Sequence, residues 1–343
     1  ATPVWNSAAT GNRADATCLV YEYIALTNAL LVAGTNVLAL HGMNQTSNSS
    51  DFLVGPLLQG VEAAAFDTND LRYFPVPTPG AANGPGVVLR GPLISESAHA
   101  PLMPGAADEL LVTTRVTPVT HAVSAVECVY RVMFGSEVRL VMADDGLHGD
   151  GVAGDGVYGA RIPAGAASPG EMVRYYFSAI DTQANTSRWP FFITPDAPEY
   201  FGTVVDDPVI LTNLPVLHWF VQNTNAAETY TGTRCALFYN GAFYDNVFVA
   251  IRGATSALNN PGTNLFKNPH QFEFTRREFV YDPALEPVND LIVHSMYNDG
   301  AYCRDYLSWE SFWRAGVPAS TSFYLHVRQN AHWHSIGLFI EQV

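Results

Sequence analysis

The sequence predicts a mainly β chain that ends in an α+β unit, and three observations carry that expectation. Charged residues make up only 14 %, while 27 glycines and 22 prolines punctuate the 343 residues. Short strands joined by many turns suit that balance better than long helices do. Apolar runs that alternate at period two recur through the middle of the chain, and turn signals separate them. One segment near the C-terminal end carries helix start and stop signals. The chain is longer than a usual domain of roughly 100–200 residues, so it is divided into three units, 1–84, 85–210 and 211–343.

The first unit opens with a strand–turn–strand pattern over residues 30–44, with its turn at Gly34 to Asn36. A polar loop then leads into the apolar run 51–54. Residues 78–84, Thr-Pro-Gly-Ala-Ala-Asn-Gly, form a turn-rich linker. The second unit shows strands at 110–116, 125–132, 138–142 and 172–179, the pattern of a β-sandwich. The third shows strand-like runs at 216–221, 234–239, 246–252, 291–294, 322–327 and 335–341 around a helix over 303–315. Asp305 stands near the start of that helix and Gly316 and Pro318 follow its end. Leu307, Phe312 and Trp313 give it an apolar side.

Acidic residues outnumber basic ones by 32 to 17, a formal net charge of −15. Such a surface repels phosphate backbones, so nucleic acid is not an expected partner, whereas cations are. No run of about 18 apolar residues occurs, so no membrane span is expected. Cys18, Cys128, Cys235 and Cys303 form no CxxC pair, which excludes a zinc knuckle. They are either buried thiols or include one long-range bridge such as Cys235–Cys303. Asn44, Asn48 and Asn185 occupy N-x-S/T sequons. The sequence has no G-x-S-x-G elbow, GxGxxG, P-loop or HExxH.

The sharpest local signal runs from Asp144 to Tyr158. Asp144, Asp145, Asp150 and Asp155 alternate there with Gly146, Gly149, Gly151, Gly154 and Gly156, and His148 lies among them. Calcium takes about 6–8 oxygen ligands, and glycines let a backbone wrap around an ion, so these five Asp and His residues are candidate metal ligands. The alternative is a set of tight turns whose carboxylates cap backbone N–H groups. The register is not that of an EF-hand. His332 and His334, two apart on a strand, are candidates for a second metal, with His326, His294, His270 and His218 as possible neighbours and Glu341 as the one visible acid.

Three resemblances add to these readings. Gly34-Thr-Asn-Val-Leu-Ala-Leu-His41, followed by Ser49-Ser-Asp-Phe-Leu53, resembles the closing strands of a galactose-binding-like jelly roll, so the first unit is expected to be a partial one. The second unit resembles Ig-like modules of exported bacterial proteins, in which a D-D-G-x-x-G-D hairpin loop recurs. The third, about 130 of 343 residues, carries six motifs in order. They are R-G-x-x-S at 252–256, Lys267, Phe272-Glu-Phe274, D-x-x-x-x-R at 299–304, A-G-x-P at 315–318 and G-L-x-x-E-Q at 337–342. That order resembles the spore-coat-protein-H (CotH) kinase-like family.

The family resemblance implies that Lys267 meets nucleotide phosphates with Glu341 nearby, and that Arg252 and Arg304 face phosphate or serve structure. Phosphoryl transfer also needs metal-holding acids, which in that family follow the E-Q strand. The implied unit is therefore a truncated kinase-like domain. Three functions follow as expectations. One is an extracellular or cell-surface, calcium-binding modular protein for adhesion, display or spacing, with an extracellular matrix component as partner. Another is a divalent-metal-dependent hydrolase of small phosphoric or carboxylic esters. The third is residual nucleotide binding.

Overall fold

The structure is a computed structural model that describes residues 89–190, 199–253, 268–296 and 299–341, with isolated positions between 4 and 87. By contact the chain divides into Ala1–Thr68 and one compact unit, Asn69–Val343. Most of the expected jelly-roll segment lies outside the described residues. Residues 35–40 are described, and they carry no strand: Val37, Leu38 and Leu40 stand exposed. The expected second strand of the 30–44 pattern is thus corrected. Its apolar side chains face solvent, and a segment with no buried face lacks the packing that holds a strand.

The chain is mainly β, as expected. Its first layered body is a sandwich of two sheets. One has the order β1 (Leu93–Ala100), β2 (Leu110–Thr117), β5 (Val157–Ile162). The other has the order β4 (Val138–Val141), β3 (Val123–Val132), β6 (Met172–Asp181), β7 (Thr186–Trp189), with β8 (Phe201–Val204) also paired to β6. Alternation decides what faces inward: Leu110, Val112 and Val116 from β2 meet Val126, Cys128, Val173, Tyr175 and Phe177. Residues of opposite parity on β3 and β6, Arg131, Arg174 and Tyr176 among them, therefore lie on the outer face.

The second body holds the strands and the helix expected of the third unit. Strands β9 (Val216–Phe220), β10 (Thr233–Tyr239), β11 (Ala242–Ile251), β12 (His270–Glu273), β13 (Asp290–His294), β14 (Ser322–Gln329) and β15 (His332–Glu341) close into a barrel, in the order β10-β11-β12-β13-β15-β14-β9. Helix α1 (Thr224–Ala227) follows β9, and α2 (Arg304–Arg314) is the helix that the sequence predicts. None of the α2 residues is buried, so the helix adds no layer to the core. Closure uses one parallel pair, β14 with β9. It removes the sheet edges that an open arrangement would expose. The interior is filled by side chains, including Leu217, Trp219, Leu237, Val249, Phe272, Leu291 and Phe339. Gly337 has no room for a Cβ, which would run into Val293.

Sandwich and barrel share a small core of their own. Met172 and Val204 pack with Phe220, Ala236 and Phe238, flanked by Met133, Phe134 and Phe243. Gly202 permits this approach, because a Cβ there would fall 2.7 Å from the Phe243 ring. Polar groups fix the register: Tyr200 N donates to Asp245 Oδ2 at 2.8 Å, Arg174 Nη1 lies 3.6 Å from Asp245 Oδ1, and Arg328 Nη2 lies 2.9 Å from Asp207.

His218, on the outer side of β9, is buried and stacks on Phe220, 6.3 Å between centroids. Burial, then the positive charge of Arg328, pushes its imidazole down to about 4. The unfolded chain takes up that proton near pH 6.5, the folded one only near 4. Stability is thus complete above about pH 6.5 and falls as pH drops toward 4, by about 3 kcal/mol from this residue. Urea unfolding at pH 7, 5.5 and 4.5 is expected to show that decline, and His218→Phe is expected to flatten it.

Candidate functional site

The Asp/Gly segment forms the connection between β4 and β5. Five glycines, Gly146, Gly149, Gly151, Gly154 and Gly156, take positive φ, which lets the backbone double back tightly. At Gly159 the loop lies so close that a Cβ would stand 2.6 Å from His148 O. The carboxylates point into the loop's own backbone. Asp144 Oδ1 accepts from Gly154 N at 2.7 Å and Asp155 N at 3.2 Å, and its Oδ2 accepts from Gly156 N at 2.9 Å. Asp150, only 3 % exposed, accepts from Gly146 N at 2.8 Å and His148 N at 2.9 Å. Asp145 Oδ1 accepts from Leu147 N and contacts His148 Nδ1, both at 2.9 Å, and Asp155 Oδ1 accepts from Val157 N.

These bonds set the local electrostatics. The His148 contact and the Leu147 N–H hold Asp145 below the usual carboxylate range. The Gly146 N–H, against the opposing effect of desolvation, does the same for Asp150. The oxygens that the sequence offers to calcium are turned toward N–H donors. In this arrangement the carboxylates cap the turns of the loop. Among the described residues no group of three or more His, Cys, Asp or Glu is placed to hold a metal.

Asp150→Ala is therefore expected to lower the melting temperature by several degrees, because it takes the acceptor from two half-buried N–H groups. Asp150→Asn, which keeps an acceptor oxygen, should recover about half of the loss. Thermal melts monitored by circular dichroism read both.

The histidines separate. His332 is exposed at the first position of β15, whereas His334 packs edge-on to Trp219, 5.7 Å between centroids, and lies 6.0 Å from His270. A bulge between Val327 and Arg328 interrupts the register beside them. His270 Nε2 meets Glu228 Oε1 at 3.0 Å, and Asn268 Nδ2 donates to Glu228 Oε2 at 2.7 Å. Burial alone would raise the Glu228 carboxyl, yet the His270 and Asn268 contacts hold it below its ordinary value.

Trp219, Glu228, His270 and His334 thus cluster at one end of the barrel, with Glu228 at the C-cap of α1. Glu228 is the member that spacing does not reveal, since it lies 42 positions before His270. Chemically the pair fixes the His270 tautomer and orientation. His270 itself is only 3 % exposed.

The residues singled out by the kinase-like resemblance serve different local contacts. Arg252 N donates to Pro269 O at 3.0 Å, Arg304 Nε lies 3.4 Å from Asp299 Oδ1, and Thr321 N donates to Glu341 Oε2 at 3.4 Å. From the ladder registers, Arg252 and Glu341 stand three strands apart and three residues apart along them. Lys267 lies outside the described residues. Cys128 and Cys235 are buried free thiols and Cys303 is a half-buried one, so the Cys235–Cys303 bridge is not formed. Burial pushes the Cys128 thiol up to about 12.

Residues 100–175 match the family model described as the conditioned medium factor second Ig-like domain. The matched span runs from the end of β1 into β6 and includes the Asp/Gly loop. No curated protein matches the chain. The chain carries an Ig-like module within a mainly β architecture. No helix among the described residues is long and apolar enough to cross a membrane.

Proposed function

We propose that the chain works as a rigid extracellular or cell-surface module for adhesion, display or spacing, in which an Ig-like sandwich is locked to a closed barrel. The supporting observation is the shared core of Met172, Val204, Phe220, Ala236 and Phe238, together with the buried Arg174–Asp245 pair. Apolar surface of that kind does not open and close freely. Fixed relative placement is what a spacer or display element requires. Loop rigidity on this reading comes from N–H capping of Asp144 and Asp150, with no call on calcium.

The test is thermal unfolding of the whole chain. A single transition for sandwich and barrel, unmoved by EDTA or by millimolar calcium, is the expected result. Two well-separated transitions would remove the rigid-spacer reading. A calcium-dependent rise abolished by Asp144→Asn would instead restore the loop as an ion site. Chelator-sensitive hydrolysis of nitrophenyl esters would favour a catalytic role over a structural one.

A further inference from the structure

The outer face of the second sandwich sheet, at its junction with the barrel, gathers three arginines in a chain of net −15. Arg131 on β3 and Arg174 on β6 are direct ladder partners. Side chains so paired stand about 4.5–5.5 Å apart at their Cβ atoms, and like charges there destabilise a sheet. Arg188, on β7, joins them: all three guanidinium carbons lie over the Tyr200 ring, at 6.0, 4.9 and 5.3 Å from its centroid. Arg174 Nη1 pairs with Asp245 Oδ1 at 3.6 Å, and its Nη2 donates to Met133 O at 3.2 Å. Glu137 is taken up by the hydroxyls of Tyr200 at 3.0 Å and Tyr176 at 3.3 Å. Arg188 donates to the carbonyls of Pro190 and Glu199.

Two donors are left over. Arg131 Nε and Arg174 Nε are both buried and both without a hydrogen-bond partner. The Arg174 side chain is only 11 % exposed, so water does not compensate it freely. Burial holds this guanidinium below its ordinary basicity, Asp245 opposes that effect, and Arg131 adds to it. A buried N–H without an acceptor is a costly feature unless something occupies it. Guanidinium groups present planar forks suited to oxyanions.

We propose that Arg131 and Arg174 together hold a small tetrahedral oxyanion of the sulfate or phosphate class. The anion would accept from both orphaned Nε–H groups and relieve the repulsion across the β3–β6 ladder. Arg188, Tyr176 and Tyr200 would form the surrounding wall. Anion occupancy would then tighten the joint between sandwich and barrel, since Arg174 also reaches Asp245 across it.

The experiment titrates the full chain with sodium sulfate, sodium phosphate and sodium chloride at matched ionic strength. A saturable rise in melting temperature with sulfate or phosphate, absent with chloride, is expected. Sulfate acting alone would assign the site to sulfate, and phosphate alone to phosphate. Arg131→Gln is expected to raise the melting temperature in chloride, by removing the repulsion, and to abolish the oxyanion increment. Arg139→Gln, which breaks an exposed pair with Glu127, should leave the increment intact. A direct readout independent of any variant is the ¹H–¹⁵N spectrum of arginine Nε–H groups in the native chain, where two resonances should shift on adding sulfate. Equal responses to all three salts, an unmoved Nε–H spectrum, or an increment retained in Arg131→Gln would each overturn the proposal.

Discussion

Asp245→Ala is expected to destabilise the protein by about 3–5 kcal/mol, the cost of stripping the partner from a buried charge. Both side chains of the pair are shielded, Asp245 5 % and Arg174 11 % exposed. The substitution leaves the Arg174 guanidinium beside Arg131 with no carboxylate and strands the Tyr200 N–H. Burial pushes the Asp245 carboxyl up, and Arg174 works against that. Asp245→Asn keeps an acceptor for Tyr200 but not the charge, so its loss should be smaller. Chemical denaturation reads the difference. Loss below about 1 kcal/mol for Asp245→Ala would mean that the pair is solvated and does not fix the joint.

Trp219→Ala is expected to cost about 3–5 kcal/mol by opening a cavity in the barrel. Trp219 is fully buried and its ring meets His270 at 5.1 Å, Phe272 at 5.5 Å and His334 at 5.7 Å between centroids. Its Nε1 has no hydrogen-bond partner. Trp219→Phe therefore removes volume without breaking a bond and should lose much less than the alanine variant. The alanine variant should also free the His270 ring to reorient, seen as a changed imidazole signal in NMR. A phenylalanine variant as unstable as the alanine one would point to an unrecognised partner for the indole N–H.

How much of this was legible in the sequence differs strand by strand. β2, β3, β4 and β6 announce themselves as alternating or apolar runs, and β6 alternates in burial from Val173 to Asp181. β1 hides, since Leu-Ile-Ser-Glu-Ser-Ala-His-Ala buries only Ile94 fully. β5 contains Gly159, which reads as a turn although it serves close approach to the Asp/Gly loop. In the third unit, six of the seven strands are visible as apolar runs, but β12 has four residues with alternate burial and no apolar run. Nor does any local pattern specify that β14 returns to β9, and the barrel depends on that pairing.

The site shows the same division. The Asp/Gly loop is obvious as a loop, while the direction of its carboxylates follows from backbone torsions at five glycines. Ligation and capping draw on the same residue types, so composition leaves them equal. Glu228 stays hidden for another reason: it reaches β12 beside the end of β11, 42 positions away in the sequence.

Because the ring is sealed by β14 against β9, the protein cannot finish its barrel until segments some hundred residues apart have met. Chains emerge from synthesis N-terminal end first. The sandwich is complete at Val204, so it has every strand in hand while β9 still waits for its neighbour. Long-range pairing of this sort slows assembly. A nascent chain arrested after β13 would display a folded sandwich beside an open, sticky sheet, and the β14–β15 hairpin would convert that sheet into a closed barrel.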